Sequence, residues 1–118
     1  MKEIMIQIFG KKKCFDTKKA ERFFKERRVK VQFIDLLDKG ISPGEYKSVK
    51  SAVGGIDALL DEKHRDYKLL SYLAYEEDKD ENILEDPSLL KTPIVRNGKL
   101  ATVGYQPDVW QKWLEAEK

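Results

Sequence analysis

Apolar and polar residues at the start of the chain follow the pattern of a strand, a helix and a second strand. A nearly continuous apolar run from Ile4 ends at Phe9-Gly10, which predicts a central strand covered on both faces. From about Thr17 to Arg28 the apolar residues recur at helical spacing among charged ones, as on a surface helix. Residues 29–34 then alternate between apolar and polar, the period of a strand. Together these segments predict a βαβ unit.

The middle of the chain is predicted to be helical. Ser42-Pro43-Gly44-Glu45 combines an N-cap, a proline at the first helical position and a glutamate that closes a capping box. This helix is expected to stop before Gly54-Gly55, and two short helices are expected at 56–60 and 67–73. The acidic stretch 76–86 lacks the glycine and the ligand spacing of a calcium loop, so we interpret it as a solvated face rather than a metal site.

The last third of the chain carries a hairpin signal and a helix signal. Residues 92–103 predict two strands joined by Asn97-Gly98, the first of them opened by Pro93. A final helix is expected from residue 106, with Trp110 and Trp113 on one side. Their helical spacing favours a place in the core over a recognition surface.

Composition narrows the classes of function. The 118 residues contain 23 Lys and Arg against 21 Asp and Glu, a formal net charge of only +2, which argues against direct nucleic-acid binding. No apolar run approaches the roughly 20 residues that span a bilayer, and the N-terminus does not resemble a signal peptide. We therefore expect a cytoplasmic protein without membrane contact, and a monomer.

Few side chains are available for metal or nucleotide chemistry. One cysteine and one histidine do not supply a zinc shell, and no phosphate-binding glycine motif is present, so no metal or nucleotide site is predicted. The one histidine, His64, stands among charged residues and is predicted to be exposed.

Cys14 is the strongest candidate for chemistry. On a strand-to-helix loop, free backbone N–H groups and the positive end of the helix dipole favour a thiolate, which is the reactive form. The neighbouring Lys11, Lys12 and Lys13 act in the same direction, because a nearby cation lowers the pKa of a thiol. The alternatives are a buried, inert cysteine and three lysines that belong to a solvated loop.

Three segments resemble a known family. Cys14–Ala20, Asp86–Val95 with its Leu-Leu-Lys-x-Pro-Ile-Val string, and Val103-Gly104-Tyr105 are similar to the arsenate reductase (ArsC) and Spx family of thioredoxin-like proteins. The resemblance runs over nearly the whole length. It implies a single α/β domain over residues 1–118 with a thioredoxin-like fold: a four-stranded mixed sheet in the order β-α-β, helical insertion at about 42–90, and β-β-α.

The resemblance also implies roles for individual residues. Cys14 matches the nucleophilic cysteine, and Pro93 matches a proline that is usually cis and faces that cysteine; the alternative is a trans proline that opens the strand. Thr92 and Tyr105 stand where the family's arsenate reductases carry arginines that hold the oxyanion, so arsenate reduction is not expected. Thr17 stands where Spx regulators carry a second cysteine, which excludes a disulfide switch within this chain.

The first hypothesis for function is a monothiol oxidoreductase. Cys14 attacks an oxidised substrate, and an external thiol, supplied by glutathione, glutaredoxin or thioredoxin, resolves the adduct without a bound cofactor. The thiolate is stabilised by Lys11, Lys13 and Thr17, and the substrate is bound by Thr92, Pro93 and Tyr105.

Two alternatives stay open. Thr17 is also an ordinary residue for a helix start. The second hypothesis for function is a Spx-like, redox-insensitive regulator or adaptor that binds RNA polymerase, with the α subunit as the expected contact, or another protein partner.

Overall fold

The computed structural model describes residues 6–116 of the chain. Ile4 and Met5, at the start of the predicted first strand, lie outside the described residues. The strands are β1 (Ile6–Gly10), β2 (Val31–Asp35), β3 (Ile94–Asn97) and β4 (Leu100–Val103). The helices are α1 (Phe15–Glu26), α2 (Pro43–Ala52), α3 (Tyr67–Ser71), α4 (Glu76–Glu85) and α5 (Pro107–Ala116), with short 3-10 turns at Asp57–Leu59 and Pro87–Leu89.

The four strands form one mixed sheet in the order β2-β1-β3-β4. β1 runs parallel to β2 and antiparallel to β3, and β3 pairs antiparallel with β4 through the predicted hairpin. The helical insertion lies between β2 and β3 in sequence. The predicted four-stranded mixed sheet is therefore confirmed, and β1 is an inner strand as its continuous apolar run indicated.

Two hydrophobic clusters cover the two faces of the sheet. Successive side chains of a strand point to opposite faces, so β1 supplies both clusters. One cluster joins the sheet to α1 and α5 and includes Ile6, Ile8, Ala20, Phe23, Phe24, Val95, Trp110 and Trp113. The other joins it to the insertion and includes Phe9, Leu36, Tyr46, Val49, Leu59, Leu70, Ile83, Leu89, Leu90 and Ile94. The expectation that both tryptophans belong to the core is confirmed.

Local sequence signals set the ends of several elements. Ser42 caps α2 in the predicted capping box: its hydroxyl accepts from Glu45 N–H at 3.2 Å, and the Glu45 carboxylate accepts from Ser42 N–H at 3.1 Å. α1 begins two residues earlier than predicted because Cys14 is its N-cap, with the Cys14 carbonyl accepting from Lys18 N–H at 3.2 Å. The acidic stretch forms α4 and buries Ile83.

None of the helices described between residues 6 and 116 is long and apolar enough to cross a membrane.

Candidate active site

Cys14 lies where β1 passes into α1. It is the N-cap of α1, its side chain is partly exposed, and its N–H donates to the carbonyl of Lys11 at 3.0 Å. The N-terminal N–H groups of a helix have no partner within the helix and carry partial positive charge. The partial positive charge of this helix end favours the ionised form of a sulfur at this position, although the Cys14 side chain accepts no capping hydrogen bond.

Thr92 and Pro93 lie opposite Cys14, at the entrance to β3. The neutral thiol donates to the Thr92 carbonyl with a sulfur–oxygen distance of 3.7 Å, and both Thr92 and Pro93 are buried. The Thr92–Pro93 peptide bond is cis, as the family resemblance implied. The chain thus brings together two segments almost eighty residues apart in sequence.

Opposing effects set the pKa of the Cys14 thiol. Partial burial is the largest single effect and raises the pKa. Neighbouring polar groups lower it: the Thr17 hydroxyl, then the Thr92 hydroxyl, then the backbone N–H groups of Thr17 and Asp16. Their combined effect outweighs burial, so the pKa of Cys14 lies below its ordinary value.

The Thr17 hydroxyl has an unusual position. Thr17 is 1% exposed, and its Oγ1 makes no hydrogen bond of normal geometry to any of residues 6–116. The sulfur of Cys14 is the group that this hydroxyl reaches when it lowers the thiol pKa. We infer that the hydroxyl is satisfied when Cys14 is ionised, because a thiolate accepts hydrogen bonds and has no proton to donate.

Gly10 makes room for Thr17, and the sequence analysis missed this role. A Cβ on Gly10 would collide with Thr17 Cγ2 and lie 2.9 Å from Thr17 Oγ1. The last residue of β1 therefore has to be glycine for the Thr17 side chain to lie where it does. No motif in the sequence carries this signal, since it depends on how α1 packs on the end of β1.

The three lysines before Cys14 differ in their surroundings. The Lys11 ammonium donates to the carbonyls of Ser88 at 2.9 Å and Leu90 at 3.0 Å in a partly buried setting. Lys12 is 81% exposed and lies 3.8 Å from an Asp35 carboxylate oxygen. Lys13 is exposed. The assignment of Lys11 and Lys13 to the thiolate stays a prediction, and the structure adds a set of contacts for Lys11 that the sequence did not indicate.

Tyr105 lies on the side of the molecule formed by α1 and α5. Its ring packs against Trp110 at 5.6 Å between centroids, and the Lys19 ammonium lies 5.5 Å from the ring centre. Tyr105 as a whole residue is 42% exposed. Its assignment to substrate binding stays a prediction.

The prediction that His64 is exposed is wrong. The side chain is 14% exposed and lies within a hydrogen-bonded chain. Its Nδ1 accepts from Asp66 N–H at 3.0 Å, so the proton of the neutral ring is on Nε2, which donates to Ser88 Oγ at 2.9 Å. Ser88 Oγ in turn donates to the Asp86 carboxylate. The charged neighbours of His64 in sequence gave no sign of this burial, which depends on residues 86–88.

The same residues contain the one grouping of metal-ligand types found within residues 6–116. Donor atoms of His64, Asp66 and Asp86 all lie within 4.8 Å of one another. Both ring nitrogens of His64 are already engaged in hydrogen bonds within the protein. We therefore assign no metal to this cluster.

Comparison with solved structures defines the class of fold. The chain is similar to an arsenate reductase from Vibrio cholerae, with a TM-score of 0.82 over 94% of this chain and 98% of that one at 21% identity. It is also similar to a protein from Staphylococcus aureus, with a TM-score of 0.75 over 92% and 97% of the two chains at 25% identity. The mixed sheet with a helix-capping cysteine facing a cis proline is a thioredoxin-like α/β fold.

The family follows from the sequence comparisons. Residues 9–113 match the model of the ArsC family, so the chain belongs to the ArsC family. Among curated proteins it is similar to "Global transcriptional regulator Spx 2" of Oceanobacillus iheyensis, with 27% identity over 113 residues, covering 92% of this chain and 83% of that protein. The resemblance to the ArsC and Spx family is confirmed.

Proposed function

We propose that this chain is a monothiol oxidoreductase that uses Cys14 and an external thiol. The observation that carries the proposal is the position of Cys14 as N-cap of α1, 3.7 Å from the Thr92 carbonyl oxygen beside the cis Thr92–Pro93 bond. Neighbouring polar groups lower the pKa of the thiol there despite partial burial. A lowered pKa increases the thiolate fraction at neutral pH, and the thiolate is the attacking species in thiol–disulfide exchange. The partial exposure of the side chain leaves the sulfur open to attack a substrate.

The reaction needs two exchange steps. The Cys14 thiolate attacks one sulfur of a disulfide, forms a mixed disulfide and releases the other sulfur as a thiolate, which takes up a proton. A second thiol, from glutathione or from a glutaredoxin or thioredoxin, attacks the mixed disulfide, regenerates the Cys14 thiolate and leaves as a new disulfide. With a glutathione mixed disulfide as substrate and glutathione as the second thiol, the sulfur left on Cys14 is glutathione's, the released disulfide is glutathione disulfide, and its two glutathione units supply the two electrons. Any other disulfide needs a second external thiol, which attacks the new disulfide, to be fully reduced. The chain has one cysteine, so the second thiol has to come from outside it.

Arsenate is not the substrate that this site favours. At the positions of Thr92 and Tyr105, the family's arsenate reductases are expected to carry arginines. Those arginines would hold an oxyanion through bidentate, charge-assisted hydrogen bonds. A threonine hydroxyl and a phenol offer no positive charge. We therefore propose a disulfide or a mixed disulfide with glutathione as the substrate.

The test is a glutathione-coupled exchange assay. Protein is incubated with glutathione disulfide, and the mixed disulfide on Cys14 is identified by intact mass. Turnover of bis(2-hydroxyethyl) disulfide is then followed with glutathione, with and without a glutaredoxin, and arsenate is run as a parallel substrate. We expect one glutathione adduct per chain and turnover well above the uncatalysed rate, both absent in Cys14→Ser. Turnover that survives in Cys14→Ser, or a wild-type protein that forms no adduct, contradicts the proposal.

The second candidate is a regulator or adaptor that binds the RNA polymerase α subunit. The observation that favours it is the similarity to the Oceanobacillus iheyensis protein named as a global transcriptional regulator. Thr17 in place of a second cysteine makes such a role independent of an internal disulfide. The test is a binding titration of the purified chain with purified α subunit, and absence of binding at micromolar concentrations contradicts this candidate.

A further inference from the structure

The side chain of Lys11 joins two segments that meet at the candidate active site. Its ammonium donates to the carbonyl oxygens of Ser88 and Leu90, and its own backbone carbonyl accepts from Cys14 N–H. Ser88 and Leu90 belong to the segment that leads into Thr92. One residue therefore holds the cysteine loop through its backbone and the opposite segment through its side chain.

The segment before Thr92 is held on its other side by the helical insertion. Leu90 pairs with Leu60 in an isolated β-bridge. Lys91 N–H donates to the Leu59 carbonyl at 2.7 Å, and Asp61 N–H donates to the Leu89 carbonyl at 2.9 Å. These bonds fix the segment to the insertion but not to the loop that carries Cys14. The Lys11 ammonium makes a direct hydrogen-bonded connection between that loop and the segment.

We propose that Lys11 is a positioning residue for the reaction of Cys14, an inference that rests on the proposed monothiol function. By holding the carbonyls of Ser88 and Leu90, its ammonium sets the separation between the Cys14 sulfur and Thr92. The Cys14 sulfur lies 3.7 Å from the Thr92 carbonyl oxygen, and the Thr92 hydroxyl is one of the groups that lower the pKa of the thiol. Interactions at this range are sensitive to displacements of about 0.5 Å. Bonds from an ammonium are charge-assisted and therefore hold this spacing better than neutral ones.

This role differs from that of a nearby positive charge. A through-space effect of charge would be shared by Lys12, which is two residues from Cys14 and mostly exposed. It would also weaken in salt, because the Debye length falls to about 3 Å at 1 M ionic strength. A positioning role belongs to Lys11 alone and persists in salt.

The first measurement is the pH dependence of Cys14 alkylation by iodoacetamide, a neutral reagent, in wild type and in Lys11→Met, Lys11→Arg and Lys12→Met. In Lys11→Met we expect the midpoint of the rate–pH profile, which reports the thiol pKa, to move to higher pH, because the Thr92 hydroxyl no longer stabilises the thiolate. Lys12→Met should leave the midpoint unchanged. Lys11→Arg keeps a cation with several donors and should recover most of the effect. The difference between Lys11→Met and wild type should persist at about 1 M salt.

The second measurement is exchange with glutathione disulfide at pH 7. Lys11→Met should slow it by on the order of tenfold, because small displacements of reacting groups are costly. Lys12→Met should change it by less than about threefold, as expected for an exposed charge. Equal effects of the two methionine variants, or an effect of Lys11→Met that disappears in salt, would overturn the positioning role.

Two controls separate this inference from other failures. Lys11→Met also loses hydrogen bonds that stabilise the fold, so Tyr46→Phe serves as the matched variant: it loses the bond from Tyr46 to Asp80, between α2 and α4. A midpoint shift in Lys11→Met and none in Tyr46→Phe supports positioning, whereas equal shifts overturn it. If Lys11→Met does not fold, Lys11→Leu, which also lacks a donor, replaces it with the same expectations. Alkylation needs no turnover, so it decides the role of Lys11 even if the wild type exchanges no disulfide and the proposed function fails.

Discussion

Thr17→Val tests most directly whether the Thr17 hydroxyl stabilises the Cys14 thiolate in the candidate active site. Valine keeps the shape of threonine, including the methyl group next to Gly10, and removes only the hydroxyl. The two residues have similar helix propensities. The hydroxyl makes no hydrogen bond of normal geometry to a residue within 6–116, yet it lowers the pKa of the Cys14 thiol. The substitution should therefore affect stability and reactivity in opposite directions.

The expected changes in the free energy of unfolding and in the thiolate fraction follow from the burial of Thr17 and the partial exposure of Cys14. A buried hydroxyl without a partner costs about 1–3 kcal/mol relative to an apolar group. At a pH where Cys14 is protonated, Thr17→Val should therefore leave the free energy of unfolding unchanged or raise it by up to about 1 kcal/mol. A hydrogen bond to an ionised group contributes about 1.5–3 kcal/mol when buried. Cys14 is partly exposed, and solvent screening reduces this to about 1 kcal/mol, or roughly a fivefold smaller thiolate fraction below the midpoint.

The assay is iodoacetamide alkylation from about pH 5 to pH 10, which reports on Cys14 alone because the chain has one cysteine. A less stabilised thiolate is also the better nucleophile, with a Brønsted slope of about 0.4–0.5. Below the midpoint the variant should therefore react about two- to threefold more slowly than wild type, and above it about twofold faster. The two rate profiles should cross, which general destabilisation would not produce.

Urea unfolding at about pH 6 supplies the stability arm of the same test. A Thr17→Val protein that loses about 1 kcal/mol or more and keeps the wild-type alkylation profile would refute the reasoning. That outcome would mean that the hydroxyl stabilises the fold through another group and not the thiolate. Thr17→Ser is the control, because it keeps the hydroxyl and should keep the wild-type midpoint.

Three further predictions follow from the same contacts. Gly10→Ala should lower the free energy of unfolding by about 1–3 kcal/mol and raise the alkylation midpoint, because the new Cβ displaces Thr17; urea unfolding and alkylation measure the two effects. Wild type should gain stability relative to Cys14→Ser as pH rises through the folded-state pKa of Cys14 towards the unfolded value. The folded-state pKa is lowered, so the unfolded chain binds more protons between the two values. Urea titrations at each pH should give a gain below about 1 kcal/mol, since the thiolate is partly exposed, and a constant difference would contradict the lowered pKa. Tyr46→Phe should lower the free energy of unfolding, measured by thermal unfolding, by about 1–2 kcal/mol, because the Tyr46 hydroxyl donates to Asp80 at 2.6 Å between α2 and α4. It should leave the alkylation midpoint unchanged.

Features encoded by neighbouring residues were predictable from the sequence. The capping box at Ser42, the Asn97-Gly98 hairpin and the position of Cys14 at a helix start each depend on a few consecutive residues. The choice of family gave the facing proline as well. The pattern of apolar residues was enough to predict the sheet. The segments that resemble the family were enough to predict the residues at the centre of the candidate site.

Contacts between distant segments were not predictable in the same way. Lys11 reaches carbonyls 77 and 79 residues away, and His64 meets Ser88 across 24 residues. Both side chains stand among charged neighbours in sequence, which indicated exposure for His64 and an electrostatic role for Lys11. Their burial depends on where residues 86–90 lie, and this is decided by the packing of the insertion.

The position of Cys14 between the two hydrophobic clusters has a further consequence. Its loop continues from β1 into α1, which packs in the cluster with α5, whereas the segment before Thr92 buries Leu89 and Leu90 in the cluster of the insertion. The thiol therefore lies where the two clusters meet, at the end of β1, which supplies side chains to both. Since the chain has one cysteine, we expect its alkylation rate to report on how the insertion is placed relative to α1. A molecule that binds the insertion and displaces it should then change the rate at which this one sulfur atom reacts.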